Sequence, residues 1–287
     1  MIEIIRPGPL STVQDLGRPG LAHLGVPRSG ALDVPAMVAA NRAVGNPDHA
    51  AVLEITLGGL AARFRSGATV AVAGATVPIR IDRIGVDADR RPVVVPPGGR
   101  LDLGTARAGL RCYLAVAGGI AVEPVLGSRS TDTLSGLGPP ALSAGSTLPI
   151  GTRPPAVALP SPVPPGAVPG AGEVTLRLRF GPRADRFTAD AHATLLRSRY
   201  TIGMHSNRIG ARLSGPALTR ADATELPSEG IVLGSVQVPG DGQPLVFLAD
   251  HPTTGGYPVI GVVDGADLPL LAQCRPGASV RFRGPQQ

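Results

Sequence analysis

Apolar residues along this chain come mostly in short runs closed by glycine or proline, and the period within them is two. Val174-Thr-Leu-Arg-Leu-Arg-Phe180 alternates strictly, with Val174, Leu176, Leu178 and Phe180 on one face and Thr175, Arg177 and Arg179 on the other. That period predicts a half-buried strand. Met1-Ile-Glu-Ile-Ile-Arg6, Val70-Ala-Val-Ala-Gly74, Val77-Pro-Ile-Arg-Ile-Asp82 and Cys112-Tyr-Leu-Ala-Val-Ala117 read as further strands. So do Ile231-Val-Leu233, Leu245-Val-Phe-Leu248, Val259-Ile-Gly-Val-Val263 and Val280-Arg-Phe282. Helical spacing is confined to three short segments. Asp33 can cap one running to about Val44, a second covers Ala189 to Arg197, and a third turn runs from Leu268 to Gln273. Strands do not alternate with helices, so Rossmann and TIM-barrel folds are excluded. The fold class expected is all-β with few short helices, built as a barrel or sandwich.

Composition sharpens this picture. Gly 39 and Pro 31 supply the turns, while aromatic residues are 3% and tryptophan is absent, so the core must be Val, Leu, Ile and Ala. One composition shift dominates: Pro139 to Gly172 holds ten prolines and a single charged residue, Arg153. Such a stretch favours extended backbone. It divides the chain into an expected first domain over 1–138, a proline-rich linker or long loop over 139–172, and a second domain over 173–287.

The charge pattern excludes several functions. All 27 basic residues are arginine, so no P-loop lysine exists and no lysine can carry biotin, lipoate or pyridoxal phosphate. The formal net charge of +6 is spread evenly, without a basic stripe or stacking aromatics, which argues against nucleic acid as a partner. Cys112 and Cys274 are too few for a disulfide framework. The longest nearly apolar run, Cys112 to Val122, is too short for a bilayer, and the opening residues lack the pattern of a secretion signal. A cytoplasmic protein without a membrane segment is expected.

Nucleophile elbows and zinc-helix signatures are missing, and the histidines His23, His49, His192, His205 and His251 have no metal-ligand spacing. No metal site is expected. Three segments concentrate polar chemistry instead. Ser11-Thr-Val-Gln-Asp-Leu-Gly-Arg18 and the stretch to Asp33 mix polar groups with glycines before a helix start; they read as a binding loop or as a tight turn plus cap. Ser206-Asn-Arg-Ile-Gly210 offers Arg208, with Arg212 close behind, as forks for a carboxylate or phosphate, or as solvated surface. Asp250, His251, Thr253, Thr254 and Tyr257 crowd one strand exit beside Gly255 and Gly256. Two adjacent glycines suit a pair of backbone N–H donors for a carbonyl, or a hairpin turn.

In combination these segments resemble a known family. The order Ser11-Thr-Val-Gln-Asp-Leu-Gly-Arg18, Gly25-Val-Pro27, Ser29-Gly-Ala31, Leu53-Glu-Ile-Thr56 and Ala115-Val-Ala-Gly-Gly119 carries the first half. Leu126-Gly-Ser-Arg-Ser-Thr131, Ser206-Asn-Arg-Ile-Gly210, Gln237-Val-Pro239, Thr253-Thr-Gly-Gly-Tyr-Pro258 and Ala272-Gln273 carry the second. The whole is similar to the C-type subunit of bacterial 5-oxoprolinase, a family also called allophanate hydrolase subunit 2 or biotin-dependent carboxyltransferase subdomains A and B. The family includes an antagonist of a sporulation-kinase inhibitor. Pro252 departs from the pattern, standing where the family carries Gln.

The resemblance implies two cyclophilin-like β-barrel domains and a heteromer with a smaller cyclophilin-like subunit, the B-type subunit of 5-oxoprolinase, and a third lactam-utilisation protein. It implies ATP-dependent opening of the 5-oxoproline lactam to glutamate, with ATP used by the complex. The alternatives it carries are biotin-dependent carboxyl transfer to urea or a similar amide, and a non-catalytic antagonist of a kinase inhibitor. The expected catalytic residues are Asp250, Thr253, Thr254 and Tyr257, with Asp250 as proton acceptor or orienting group. Gly255 and Gly256, as carbonyl-polarising donors, join Gln14, Asp15, Arg18, Asn207, Arg208 and Gln237 as expected substrate-binding residues.

Overall fold

The computed structural model describes residues 1–86, 91–152, 172–222, 224 and 226–284. Contacts divide the chain into two units. The first comprises Met1–Arg18, Ser29–Asp132 and the chain from Gly136; the second comprises residues from Ala171 onward together with Pro19–Arg28 and Thr133–Ser135. Strands dominate both, and the described α-helices are three and short: Val34–Ala43, Ala189–Arg197 and Leu268–Ala272.

The first unit contains two sheets. The six-stranded one runs, edge to edge, Thr147–Leu148, Ile2–Arg6, Ala61–Phe64, Arg100–Leu103, Ile79–Ile81 and Ile84–Val86. The five-stranded one runs Leu10–Gln14, Val52–Thr56, Ala108–Val116, Ala68–Thr76 and Val93–Val95. Their facing sides supply one core, in which Ile4, Ala62 and Leu101 from the first sheet meet Leu53, Ile55 and Leu114 from the second. The far side of the five-stranded sheet is covered by the helix Val34–Ala43, whose Ala36, Met37 and Ala40 pack on Ala71, Ala73, Tyr113 and Ala115. Small side chains on the sheet let the helix lie close, which is how a core without tryptophan remains filled.

The second unit closes on itself. Its barrel runs Val174–Phe180, Val259–Val263, Ser235–Gln237, Leu245–Phe247, Gly210–Ser214, Arg199–Ile202 and Ser279–Arg283. Closure comes from a parallel pairing of Val174–Arg177 with Val280–Arg283. Val174, Leu176 and Leu178 point into the barrel as their alternation requires, whereas Phe180 is 39% exposed at the strand's end, beside His192.

The elements otherwise follow the hydrophobic pattern, with three informative departures. Ile231–Leu233 is a turn closed by Ser235 N donating to Val232 O; the strand begins only at Ser235, after Gly234 with φ +85°. Val77–Asp82 shortens to Ile79–Ile81, because Pro78 offers no ladder donor and Asp82 enters a left-handed turn. The expected linker begins inside the first unit: Thr147–Leu148 pairs with Ile2 and Glu3, and Leu142 and Leu148 are buried in its core. Apolar side chains there gain more from burial than extended solvated backbone would. The rest of the proline-rich stretch, residues 153–171, lies outside the described residues.

Glu54 and Tyr113 tie the helix to its sheet. Glu54 Oε2 accepts from Leu32 N and from Tyr113 Oη, both at 2.9 Å, and Tyr113 Oη accepts from Asp33 N at 2.8 Å. Asp33 then caps the helix by accepting from Ala36 N at 3.0 Å. Burial, together with the Glu54 charge, pushes the Tyr113 phenol well above its ordinary value, so it stays a donor. Tyr113→Phe removes one donor and one acceptor from this buried chain. It should lower stability by about 1–3 kcal/mol, read as a shift of the urea midpoint at unchanged slope.

Candidate functional site

Each unit holds a cluster of buried polar groups among the residues expected from sequence. In the first unit the cluster hangs on Asp15, placed where the strand Leu10–Gln14 ends. Asp15 Oδ1 accepts from Gly17 N at 2.8 Å and from the hydroxyls of Ser128 and Ser130, both at 2.6 Å. Its Oδ2 accepts from Arg129 N at 2.6 Å. Arg18 is buried and donates to Ser130 O at 2.6 Å and Val125 O at 3.1 Å. Gly138, at φ +82°, completes the arrangement, since a Cβ there would collide with the Ser130 carbonyl and crowd the Arg18 guanidinium. Asp15 and Arg18 therefore fix the loop Val125–Thr131.

Gln14 is wholly buried beside them. Its Nε2 donates to Thr12 Oγ1 at 3.0 Å and to Thr131 O at 2.9 Å, and Ser29 Oγ donates to the same carbonyl at 2.9 Å. Gln14 Oε1 and Thr131 Oγ1 are buried and meet no hydrogen-bond partner among the described residues. Buried polar atoms normally find partners, so this pair retains unused hydrogen-bonding capacity.

In the second unit the cluster is rooted in an ion pair out of reach of water. Arg208 is 1% exposed and Asp250 0%. Arg208 Nε donates to Asp250 Oδ2 and Nη2 to Oδ1, each at 2.9 Å, a two-pronged match of planar groups. Asp250 Oδ2 also accepts from Thr133 N at 2.9 Å and Thr133 Oγ1 at 2.7 Å. Both oxygens of the Asp250 carboxylate are thus engaged by protein donors.

From Asp250 the chain runs out to the surface. His251 is buried, its Nδ1 2.7 Å from Pro252 O, while Thr253 is half-buried and Thr254, Gly256 and Tyr257 are exposed. Thr254–Gly255 pairs with Glu229–Gly230 as a two-stranded ribbon, so the adjacent glycines do not form a hairpin tip. Gln237, on the barrel strand Ser235–Gln237, donates its Nε2 to Tyr257 O at 3.1 Å. A Cβ at Gly255 would fall 2.9 Å from that same Nε2, so a larger residue there would displace the Gln237 amide. Asn207 serves its own turn, its Oδ1 accepting from Ile209 N and Gly210 N.

Of the residues expected from sequence, Arg208, Asp250 and the 253–257 segment with Gln237 belong to the second unit, and Gln14, Asp15 and Arg18 to the first. Two second-unit residues went unnoticed in the sequence. Thr133 follows a hydroxyl-rich run that carried a signal. Arg220 carried none. Its guanidinium carbon lies 5.5 Å from the centre of the Tyr257 ring, its Nη2 donates to Val238 O at 2.6 Å, and its buried Nε has no partner among the described residues. Neither thiol offers an alternative nucleophile on display: both cysteines are buried, and burial pushes the Cys112 thiol up to about 12.

The family described as carboxyltransferase domain, subdomain A and B, matches residues 24–284. The chain belongs to this family. Among curated carboxyltransferase-domain relatives, it is 40% identical to the C-type subunit of Escherichia coli 5-oxoprolinase over 285 residues, spanning 98% of this chain and 90% of that one. It is 32% identical to urea amidolyase of Lachancea kluyveri, covering 98% of this chain but 17% of that protein. Among solved structures it superposes on Kluyveromyces lactis urea amidolyase with a TM-score of 0.89 at 29% identity, spanning 18% of that chain. The carboxyltransferase-domain fold is thus shared by a free-standing subunit and by a portion of a much longer enzyme.

The geometry separates two variants in this family member. Asp250→Asn leaves Arg208 buried against a neutral group, and losing one charge of a buried pair costs roughly 3–5 kcal/mol. Thr254→Val alters an exposed hydroxyl and should change stability by less than about 0.5 kcal/mol. Denaturant titration of both variants checks this, and equal stability of Asp250→Asn and the parent would remove the ion pair's structural role.

Proposed function

We propose that this chain is the C-type subunit of an ATP-dependent 5-oxoprolinase-type amidohydrolase of the cytoplasm. It would act with a smaller cyclophilin-like subunit and a third lactam-utilisation protein to open 5-oxoproline to glutamate. The observation that carries this reading is the 40% identity to the Escherichia coli protein, extending over 98% of this chain and 90% of that one.

The second unit's cluster is chemically suited to such a substrate. 5-Oxoproline presents a lactam carbonyl, an amide N–H and a carboxylate. Arg220, its guanidinium held over the Tyr257 ring, supplies a permanent positive charge of the kind that attracts a carboxylate. Gln237, Thr253, Thr254 and Tyr257 supply neutral donors and acceptors for the lactam, and Gly255 and Gly256 keep the backbone open to close approach. The Arg208–Asp250 pair fixes the root of this segment, so that its groups are oriented before substrate arrives. ATP, when bound in the complex, supplies the free energy of ring opening. Any phosphate contact from this chain must come from arginine or backbone amides, because it has no lysine.

A second reading, carboxyl transfer to urea or a similar amide, is favoured by the urea amidolyase relatives. The carrier biotin would then be attached to another polypeptide segment. Reconstitution discriminates the two. With the smaller cyclophilin-like and lactam-utilisation partners, 5-oxoproline should stimulate ATP hydrolysis with release of glutamate, and the isolated chain should do neither. Carboxylation of urea with a biotin carboxylase and carrier, alongside inert 5-oxoproline, would transfer the assignment to the second reading.

Within the active complex, Arg220→Gln should raise KM for 5-oxoproline on the order of tenfold, since a hydrogen bond to a charged group contributes about 1.5–3 kcal/mol. Co-purification of the partners should be unchanged. An unaltered KM would remove Arg220 from substrate recognition.

A further inference from the structure

The outer face of the six-stranded sheet in the first unit carries a row of charge that neither cluster above uses. Cross-strand register puts Arg6 opposite Ala61, Ala61 opposite Asp102, and Asp102 opposite Arg80. Directly opposed residues share a face, so these four side chains stand in one line across four strands. The next row along, Ile4, Ala62, Leu101 and Ile81, faces the core or packs against it. A register irregularity between Ile4 and Arg6 re-aims Arg6 outward, where its Nε donates to Gly59 O at 2.7 Å. Ala61, between the longer side chains, is wholly buried.

Arg6, Arg80 and Asp102 of this row line a groove of about 550 Å³, together with Pro78, Arg83 and Arg100. Four arginines face one lining carboxylate. Asp102 is engaged bidentately by Arg100, at 2.8 and 2.7 Å, and lies 3.8 Å from Arg6. Asp82, at the hairpin tip, turns its Oδ1 onto Arg100 N at 2.9 Å. Arg80 and Arg83 meet no carboxylate within 4 Å among the described residues.

Arg83 is also held in an unusual conformation. Asp82 and Arg83 both have positive φ, 48° and 71°, at the tip of the hairpin joining Ile79–Ile81 to Ile84–Val86. Such a two-residue turn ordinarily carries glycine at its second position. The turn instead sets a guanidinium at the mouth of the groove.

We propose that this groove is a binding site for a di- or triphosphate chain, with Arg80 and Arg83 as the primary contacts and Arg6 and Arg100 as supporting charge. Planar, permanently charged forks match phosphate oxygens, and the volume lies within the range of small-molecule sites. The assignment is independent of the reaction proposed for the second unit.

The test is calorimetric titration of the full chain with sodium tripolyphosphate at low salt, and with ATP and adenosine in parallel. Tripolyphosphate and ATP should bind, adenosine should not, and binding should weaken as salt screens the charges. The double variant Arg80→Gln, Arg83→Gly should lose tenfold or more in affinity. Glycine relieves the turn, so this variant should keep or raise its thermal midpoint, which separates lost binding from lost fold. Arg197→Ala, an exposed arginine on a second-unit helix, should bind like the parent. Absence of tripolyphosphate binding by the parent, equal binding by the double variant, or an equal loss in Arg197→Ala would overturn the assignment.

Discussion

A carboxylate removed from water calls for protein donors to its lone pairs, and three of the buried carboxylates, Asp15, Glu54 and Asp250, show how this organises loops. Asp15 gathers two serine hydroxyls and two backbone amides. Glu54 gathers Leu32 N and the Tyr113 hydroxyl, with Arg111 at 3.8 Å. Asp250 gathers Arg208 and Thr133. In each case the donors come from segments far apart in sequence, so satisfying one acid fixes the path of a loop that has little apolar material of its own. A protein with 3% aromatic residues has few large side chains with which to pin loops by packing, and buried charge takes over that task.

This has a consequence for chemistry. The acid that looks most reactive in sequence, Asp250, is wholly buried and accepts four hydrogen bonds from the protein. Among the described residues, the groups without a hydrogen-bond partner include Arg220 Nε, Gln14 Oε1 and Thr131 Oγ1. Removing a hub such as Asp250 should therefore disturb the fold before it disturbs any proton transfer.

How much was legible in the sequence follows the range of the interactions involved. Strict alternation at Val174–Phe180 and the capped run after Asp33 are local, and the strand and helix stand where the pattern put them. Ile231–Leu233 misled because β-branched apolar residues also suit the buried side of a turn. Arg208 was read as a fork seeking a carboxylate; that the carboxylate is Asp250, 42 residues away, required the barrel to be closed. Arg220 stood alone between unremarkable neighbours and gave no signal until Tyr257 was seen beneath it. The arginine row on the six-stranded sheet was hidden for the same reason, since Arg6, Arg80 and Asp102 align only through register.

The parallel pairing that closes the second unit's barrel also bears on how the chain is made. Ser279–Arg283 is the last of the seven strands to leave the ribosome, yet it is hydrogen-bonded to both Val174–Arg177 and Arg199–Thr201, which emerge far earlier. Until it arrives, those two strands have no neighbour on one edge, and open edges invite pairing with other chains. The first unit can complete most of its sheets from residues 1–116 while the second is still being translated. The nascent second unit must therefore wait as an unclosed sheet, and the interval between its first and last strand is the window in which a chaperone, or an assembly partner already present, would matter most.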